Sequence, residues 1–142
     1  LHYRSHSFPT RRSSDLFCGL AHAQMGFRVI VVPPAEFEAY VQAQARPAAV
    51  TTGPGLDLFL KNGCAACHAV RGTPARGTVG PDLTHLASRR MIGAGILPTT
   101  AENIADFIAS PDHLKPGVEM PAFAMLPEAE IARIADWLGS LQ

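Results

Sequence analysis

No stretch of about 18 apolar residues occurs in these 142 residues, so nothing here reads as a membrane-spanning helix. The longest β-branched run, Phe27–Val32, is far too short and reads as a strand. The first 16 residues lack the apolar core of a signal peptide, so no targeting segment gives a location. Charge is scarce: 17% of residues carry it, and 12 basic residues balance 12 acidic ones. Arg4, Arg11 and Arg12 cluster near the N-terminus while the other basic residues interleave with acids, so there is no basic patch for nucleic acid. With 47% hydrophobic residues, the chain is expected to pack rather than to be disordered. Cysteine is scarce as well. There are three, an odd number, and two share one short motif, which argues against a disulfide framework. Metal or cofactor chemistry is the better reading.

The length suits one ordinary domain, or a small domain with part of another. Residues 1–16 show no apolar periodicity. Residues 17–34 hold Cys18, His22 and Met25 and then the β-branched run, which stops at Pro33-Pro34 because proline cannot continue a ladder. Residues 35–45 carry helix formers, with Phe37, Tyr40 and Val41 at helical spacing. RPAAVTTGPG, residues 46–55, is a Pro/Gly/Thr stretch and the expected domain boundary, with the linker proper at 46–53. Beyond it the pattern is helical with long Gly/Pro loops. Leu56, Phe59 and Leu60 share a helix face, and Thr99 with Glu102 forms a capping box for a helix that stops before Pro111. Pro127 opens a last helix whose Ile131, Ile134, Ala135 and Leu138 recur at i, i+3, i+4 and i+7. Three short helices in about 90 residues make a thin core, and something else should fill it.

Cys64-Ala65-Ala66-Cys67-His68 supplies that filling. CxxCH is the attachment signature for c-type haem: two thiols on one helical turn add across the porphyrin vinyl groups, and the adjacent His68 lies beneath the iron as an axial ligand. A structural zinc site would need a second CxxC or a His pair, and a thioredoxin-like pair would follow a strand in a βαβ unit. Neither context is present. The second axial ligand is sought among Met91, Met120, Met125, His85 and His113. Met120 is preferred, because KPGVEMPAF is an extended loop in which Pro121 stiffens the backbone and no helix claims the thioether. Met91 and Met125 read as gap-filling core residues, and His85 and His113 as surface or hydrogen-bonding ones.

Residues 54–142 resemble a class I cytochrome c domain: helix, CxxCH, a GPDL segment, a Met-Pro loop and a closing apolar helix. The fold class implied is mainly α, helices around one covalent haem. The resemblance implies that the Pro81 carbonyl accepts a hydrogen bond from His68, and that Phe59 or Leu60 meets Trp137 and Leu138 between first and last helices. Arg89 and Arg90 could pair with a haem propionate or simply face solvent.

Cys18-x3-His22-x2-Met25, followed by the β-branched run, resembles the last metal loop and final strand of the cupredoxin domain in subunit II of cytochrome c oxidase. That family's dinuclear copper centre uses C-x-E-x-C-x3-H-x2-M and an earlier histidine. Only the second half matches. Ser14 stands where the first cysteine would be and Leu16 where the glutamate would be, so the copper site is incomplete here. Ser7–Leu16 resembles the translation of a common short-read library adapter, so residues 1–16 are expected to be non-native, with the native sequence starting at Phe17.

The order of copper loop, strand, helix, linker and haem domain resembles subunit II of the caa3 type, with residues 17–45 the remnant of the cupredoxin domain. The resemblance implies electron transfer from haem c to the dinuclear copper of a proton-translocating oxidase, at the outer, periplasmic face of a bacterial membrane. It implies other oxidase subunits and a cytochrome c or similar donor as partners, no nucleic acid, and membrane contact only through upstream helices. A free-standing periplasmic cytochrome c carrier is the alternative. A haem peroxidase would need an open coordination site, and Met120 argues against one.

Overall fold

The computed structural model describes residues 19–24, 26 and 29–142. Among the described residues five α-helices follow one another: α1 (Pro34–Gln44), α2 (Pro54–Lys61), α3 (Ala101–Ala109), the single turn α4 (Pro111–Leu114) and α5 (Glu128–Leu138). Pro127 precedes α5 at φ −55°, and Glu128 and Glu130 place negative charge at its electropositive start. Ile131, Ile134, Ala135, Trp137 and Leu138 are its buried residues, so the apolar stripe read from the sequence is the one the fold uses.

Helices α2 and α3 both pack on α5. In α2, Pro54 occupies the first turn, where its missing N–H costs nothing, and Gly55, Leu56 and Phe59 are buried. The Phe59 and Trp137 rings meet with centroids 5.3 Å apart at 59°, a tilted arrangement that suits the aromatic quadrupoles. Ile104 and Ile108 of α3 and the fully buried Leu141 complete this side of the core.

Four features depart from the sequence expectation. The cap of α3 is Thr100, whose Oγ1 accepts from the Asn103 N–H at 3.1 Å, one residue later than the expected Thr99–Glu102 box. Thr99 is held back because its own N–H donates to the Arg90 carbonyl at 3.1 Å, and its buried hydroxyl finds no partner among the described residues. That bond belongs to a small antiparallel hairpin, β1 (Met91–Ile92) with β2 (Leu97–Pro98), in a stretch for which the sequence suggested no element. Likewise α4 forms inside an expected Gly/Pro loop, started by Pro111 at its first turn. The expected strand is not formed over its described part: residues 29–32 pair with nothing among the described residues, and Val29, Ile30 and Val31 are exposed. A β-branched run favours extended backbone, but a strand exists only through a ladder. The helix expected over 35–45 is α1, yet none of its residues is buried, and Phe37, Tyr40 and Val41 face outward.

The close crossing of α2 over α5 depends on Gly55. A Cβ there would overlap Trp137 Cβ and lie 2.6 Å from the Arg133 carbonyl oxygen, atoms that cannot swing aside. Gly55→Ala should therefore separate the helices and cost about 3 kcal/mol in denaturant unfolding followed by circular dichroism. An unchanged midpoint would mean that the crossing has slack.

Candidate functional site

Helix α2 ends at Lys61, and Gly63, at φ 77°, takes the left-handed conformation that lets the chain turn at once into a 3-10 turn over Cys64–Ala66. The Cys67 and His68 N–H groups both donate to the Cys64 carbonyl, at 3.2 and 3.0 Å, so both thiols and the imidazole belong to one wound segment. Cys64 and Cys67 are free and half-buried. Burial pushes the Cys64 thiol up; its backbone hydrogen bond lowers it, and the neighbouring Cys67 adds to the rise. A thiol so placed stays protonated and is a weak nucleophile on its own.

The following loop folds back over that segment. Gly77 N–H donates to the His68 carbonyl at 3.1 Å, Gly80 N–H to Cys67 at 2.7 Å, and Leu83 N–H to Ala69 at 2.8 Å. Only glycine permits such an approach. A Cβ at Gly77 would lie 2.5 Å from the His68 nitrogen, and one at Gly80 would lie 2.6 Å from His68 Cε1. The wrap delivers the Pro81 carbonyl to His68 Nδ1 at 2.8 Å. A carbonyl only accepts, so Nδ1 carries the hydrogen and Nε2 is the nitrogen left to act as a ligand.

Asp82 and Thr84 fasten the loop. Thr84 N–H donates to Asp82 Oδ1 at 2.8 Å, Arg71 Nε lies 3.3 Å from Asp82 Oδ2, and Arg89 donates to the Asp82 carbonyl. Burial alone would raise the Asp82 carboxyl. The Thr84 hydrogen bonds and the charges of Arg71 and Arg89 outweigh it, and the net shift is downward. Sequence reasoning missed this fastening, although Asp-x-Thr after Gly-Pro is a turn signal that could have marked it.

The other candidate ligands are dispersed. Met120 is half-buried against the core, in a loop tied to the end of α3 by Phe123 N–H donating to the Ile108 carbonyl at 3.1 Å. Met91 is half-buried in β1, whereas Met125 is 76% exposed. His85 is buried with Nε2 committed to the Arg46 carbonyl at 3.0 Å, and His113 is exposed on α4. Arg89 is occupied with Asp82, and Arg90 is exposed. Two free thiols one turn apart, beside an imidazole with one nitrogen pinned and the other available, fit a covalently attached haem.

Copper is a different matter. Cys18 and Met25 lie outside the described residues, and His22 sits half-buried in a 3-10 turn over His22–Gln24. Among the described residues no group of three His, Cys, Asp or Glu could hold a metal ion. One cysteine, Cys18, supplies a single thiolate in residues 1–25, and Ser14 and Leu16 add neither a thiolate nor an acid group, so the residues present do not fit a dinuclear centre bridged by two thiolates.

Residues 54–142 match the family described as cytochrome c. The chain is similar to cytochrome c oxidase subunit 2 of Alkalihalophilus pseudofirmus, 35% identical over 130 residues, which cover 88% of this chain and 37% of that protein. The subunit 2 of Bacillus sp. strain PS3 is 34% identical over 134 residues, with the same two shares, and that of Bacillus subtilis is 26% identical over 154 residues. The chain spans well under half the length of these relatives, 37 to 43%.

Gly80 generates a direct test. A methyl group there collides with the His68 ring, 2.7 Å from Nδ1, and the ring must leave the Pro81 carbonyl. Gly80→Ala should cost about 1–3 kcal/mol of stability, and the Nδ1 proton should exchange with water about tenfold faster. If nuclear magnetic resonance finds that proton equally protected, Gly80 is not the spacer the geometry makes it.

Proposed function

The chain belongs to the cytochrome c family, and from that membership, which implies haem c, we propose that it is the electron-entry part of a caa3-type oxidase subunit II. In this reading residues 54–142 take an electron from a cytochrome c or similar donor. They pass it to a dinuclear copper centre of the longer protein, at the outer face of a bacterial membrane, and partner subunits reduce oxygen. Bound here, a c-type haem supplies a one-electron iron couple, and His/Met ligation gives it a high potential.

The observation that carries the proposal is the pinned ring of His68: Nδ1 donates to Pro81 at 2.8 Å, beside Cys64 and Cys67 on the same turn. The likeness to oxidase subunits over 88% of the chain supports the oxidase assignment. Each residue has a defined task. Cys64 and Cys67 would anchor the macrocycle, His68 Nε2 would ligate iron, and the Pro81 carbonyl would fix the ring and raise its basicity. Met120 would supply the second axial ligand, its loop held to α3 through Phe123. Cys18, His22 and Met25 would be the second half of the copper site, and residues 17–45 the end of the domain that carries it, ahead of a linker at 46–53. Residues 1–16 would be foreign to the native protein.

Two measurements test this. The oxidised protein should show the sulfur-to-iron charge-transfer band in the near infrared, and Met120→Ala should abolish it. A band that survives that change but is lost in Met91→Ala or Met125→Ala would move the ligand elsewhere. Copper titration of the 142-residue chain, followed by paramagnetic resonance, should give no mixed-valence signal, because Ser14 offers a hydroxyl far too basic to replace a bridging thiolate. That signal should appear once a longer upstream sequence supplies cysteine and glutamate at positions 14 and 16. Its appearance in the chain as it stands would contradict the incomplete-site reading.

A further inference from the structure

Between α1 and α2 lies a segment whose composition reads as a loose tether, yet its backbone is held at every second residue. The Gln44 carbonyl accepts from Arg71 Nη2 at 2.6 Å and the Arg46 carbonyl from His85 Nε2 at 3.0 Å. The Ala48 N–H donates to the Arg71 carbonyl at 2.9 Å, and the Val50 carbonyl accepts from Trp137 Nε1 at 3.2 Å. The segment is no straight strand, since α1 ends at Gln44 and the chain turns at Ala45, but these four contacts hold it against Arg71, His85 and Trp137, with Ala48 buried to 6% exposure. On the other side of this contact, Gly72 at φ 92° leaves room for the segment: a Cβ there would come within 3.0 Å of both Pro47 and Thr51.

The first of these contacts has a particular character. Gln44 is the last residue of α1, and the last carbonyls of a helix have no partner within it. The Arg71 guanidinium takes that carbonyl and brings a cation to the electronegative end of the helix. Arg71 is itself fixed. Its N–H donates to the fully buried Thr84 Oγ1 at 2.9 Å, and its Nε stands 3.3 Å from Asp82 Oδ2. Since α1 buries none of its own residues, what holds it is its C-terminal end.

We propose that residues 44–50 are a fixed strap, and that Arg71 and His85 are positioning residues. By holding the strap they set the direction of α1, and of what is joined ahead of it, relative to the Cys64–His68 turn. Asp82 follows Pro81 directly, so the residue that holds the helix end is braced against the loop that orients the axial histidine. The consequence for electron transfer rests on the oxidase reading: a strap would keep the haem and an upstream copper centre at one separation, without a docking search between them. The strap itself does not depend on that reading.

The test uses the haem-loaded, isotope-labelled chain, with ferric iron as the paramagnetic probe. Amides of α1 should show pseudocontact shifts that fit the same tensor as those of α5, and α1 should tumble with the rest of the molecule. Arg71→Met and His85→Leu should each speed Ala48 amide exchange about tenfold and shrink the α1 shifts, and His85→Leu, which does not touch the Asp82 fastening, should leave the haem absorption bands in place. His85→Gln, which retains a donor, should restore both. Ala48→Asp should release the strap from its own side with Arg71 and His85 intact, which covers the case in which a His85 or Arg71 variant fails to fold. Shifts near zero at α1 in the unaltered chain, or Ala48 exchange unmoved by all of these substitutions, would overturn the proposal. Failure to attach haem at all would contradict the electron-carrier reading, and Ala48 exchange would still report on the strap.

Discussion

The hydrogen bond from His68 Nδ1 to the Pro81 carbonyl joins two segments that have no regular secondary structure to hold them together, and much of the surrounding architecture follows from making it possible. It requires the Gly77–Pro81 loop to lie directly on the Cys64–His68 turn, which requires glycine at both 77 and 80. It also requires the loop to be braced from behind, and Asp82, Thr84, Arg71 and Arg89 do that through a mesh of charged and neutral hydrogen bonds. Mobile ion pairs on a surface are worth little, but here the charges close a loop against backbone groups that would otherwise have to find water.

The hydrophobic part of the molecule plays a simpler role. Helix α5 is the spine on which α2 and α3 rest, and the two thiols hang from the end of α2 through Gly63. Any shift of α2 along α5 would therefore be transmitted to the thiols and to His68. The near-contact at Gly55 and the tilted Phe59–Trp137 pair restrict that shift through packing, and close-packed interiors transmit strain rather than absorb it. The Lys61–Glu130 pair at 3.4 Å joins the same two helices at the surface, where solvent leaves it a minor role.

Strong local signals were legible in the sequence. The closing stripe of α5, the Leu56–Phe59 face of α2 and the extent of α1 follow from periodicity, and the contact of Phe59 with Trp137 from the family resemblance. The cysteines and histidine of the site were legible because covalent chemistry demands their spacing. What could not be read depended on partners distant in sequence. Whether Thr99 or Thr100 caps α3 is decided by the Arg90 carbonyl, which engages Thr99 first. The hairpin of β1 and β2 is too short for any alternation to show, and Ala94 takes φ 64° within it against its own preference. The run at residues 29–32 has the composition of a strand and no ladder among the described residues, because pairing belongs to two segments and not to one. The fastening of residues 44–50 was hidden for a related reason: Arg71, His85 and Trp137 lie 27, 39 and 87 residues from the carbonyls they hold.

Those three side chains grip main-chain carbonyls, which every amino acid carries. The identity of most residues between 44 and 50 is therefore nearly free to drift, apart from the small side chain that the buried position at Ala48 requires. Length is under far stricter control. Inserting or deleting one residue between Gln44 and Val50 would change the reach from the end of α1 to the Trp137 indole and leave at least one of the three donors without its carbonyl. Among homologous chains such a segment would look like variable, low-complexity linker by its residues and like a strongly selected element by its gaps.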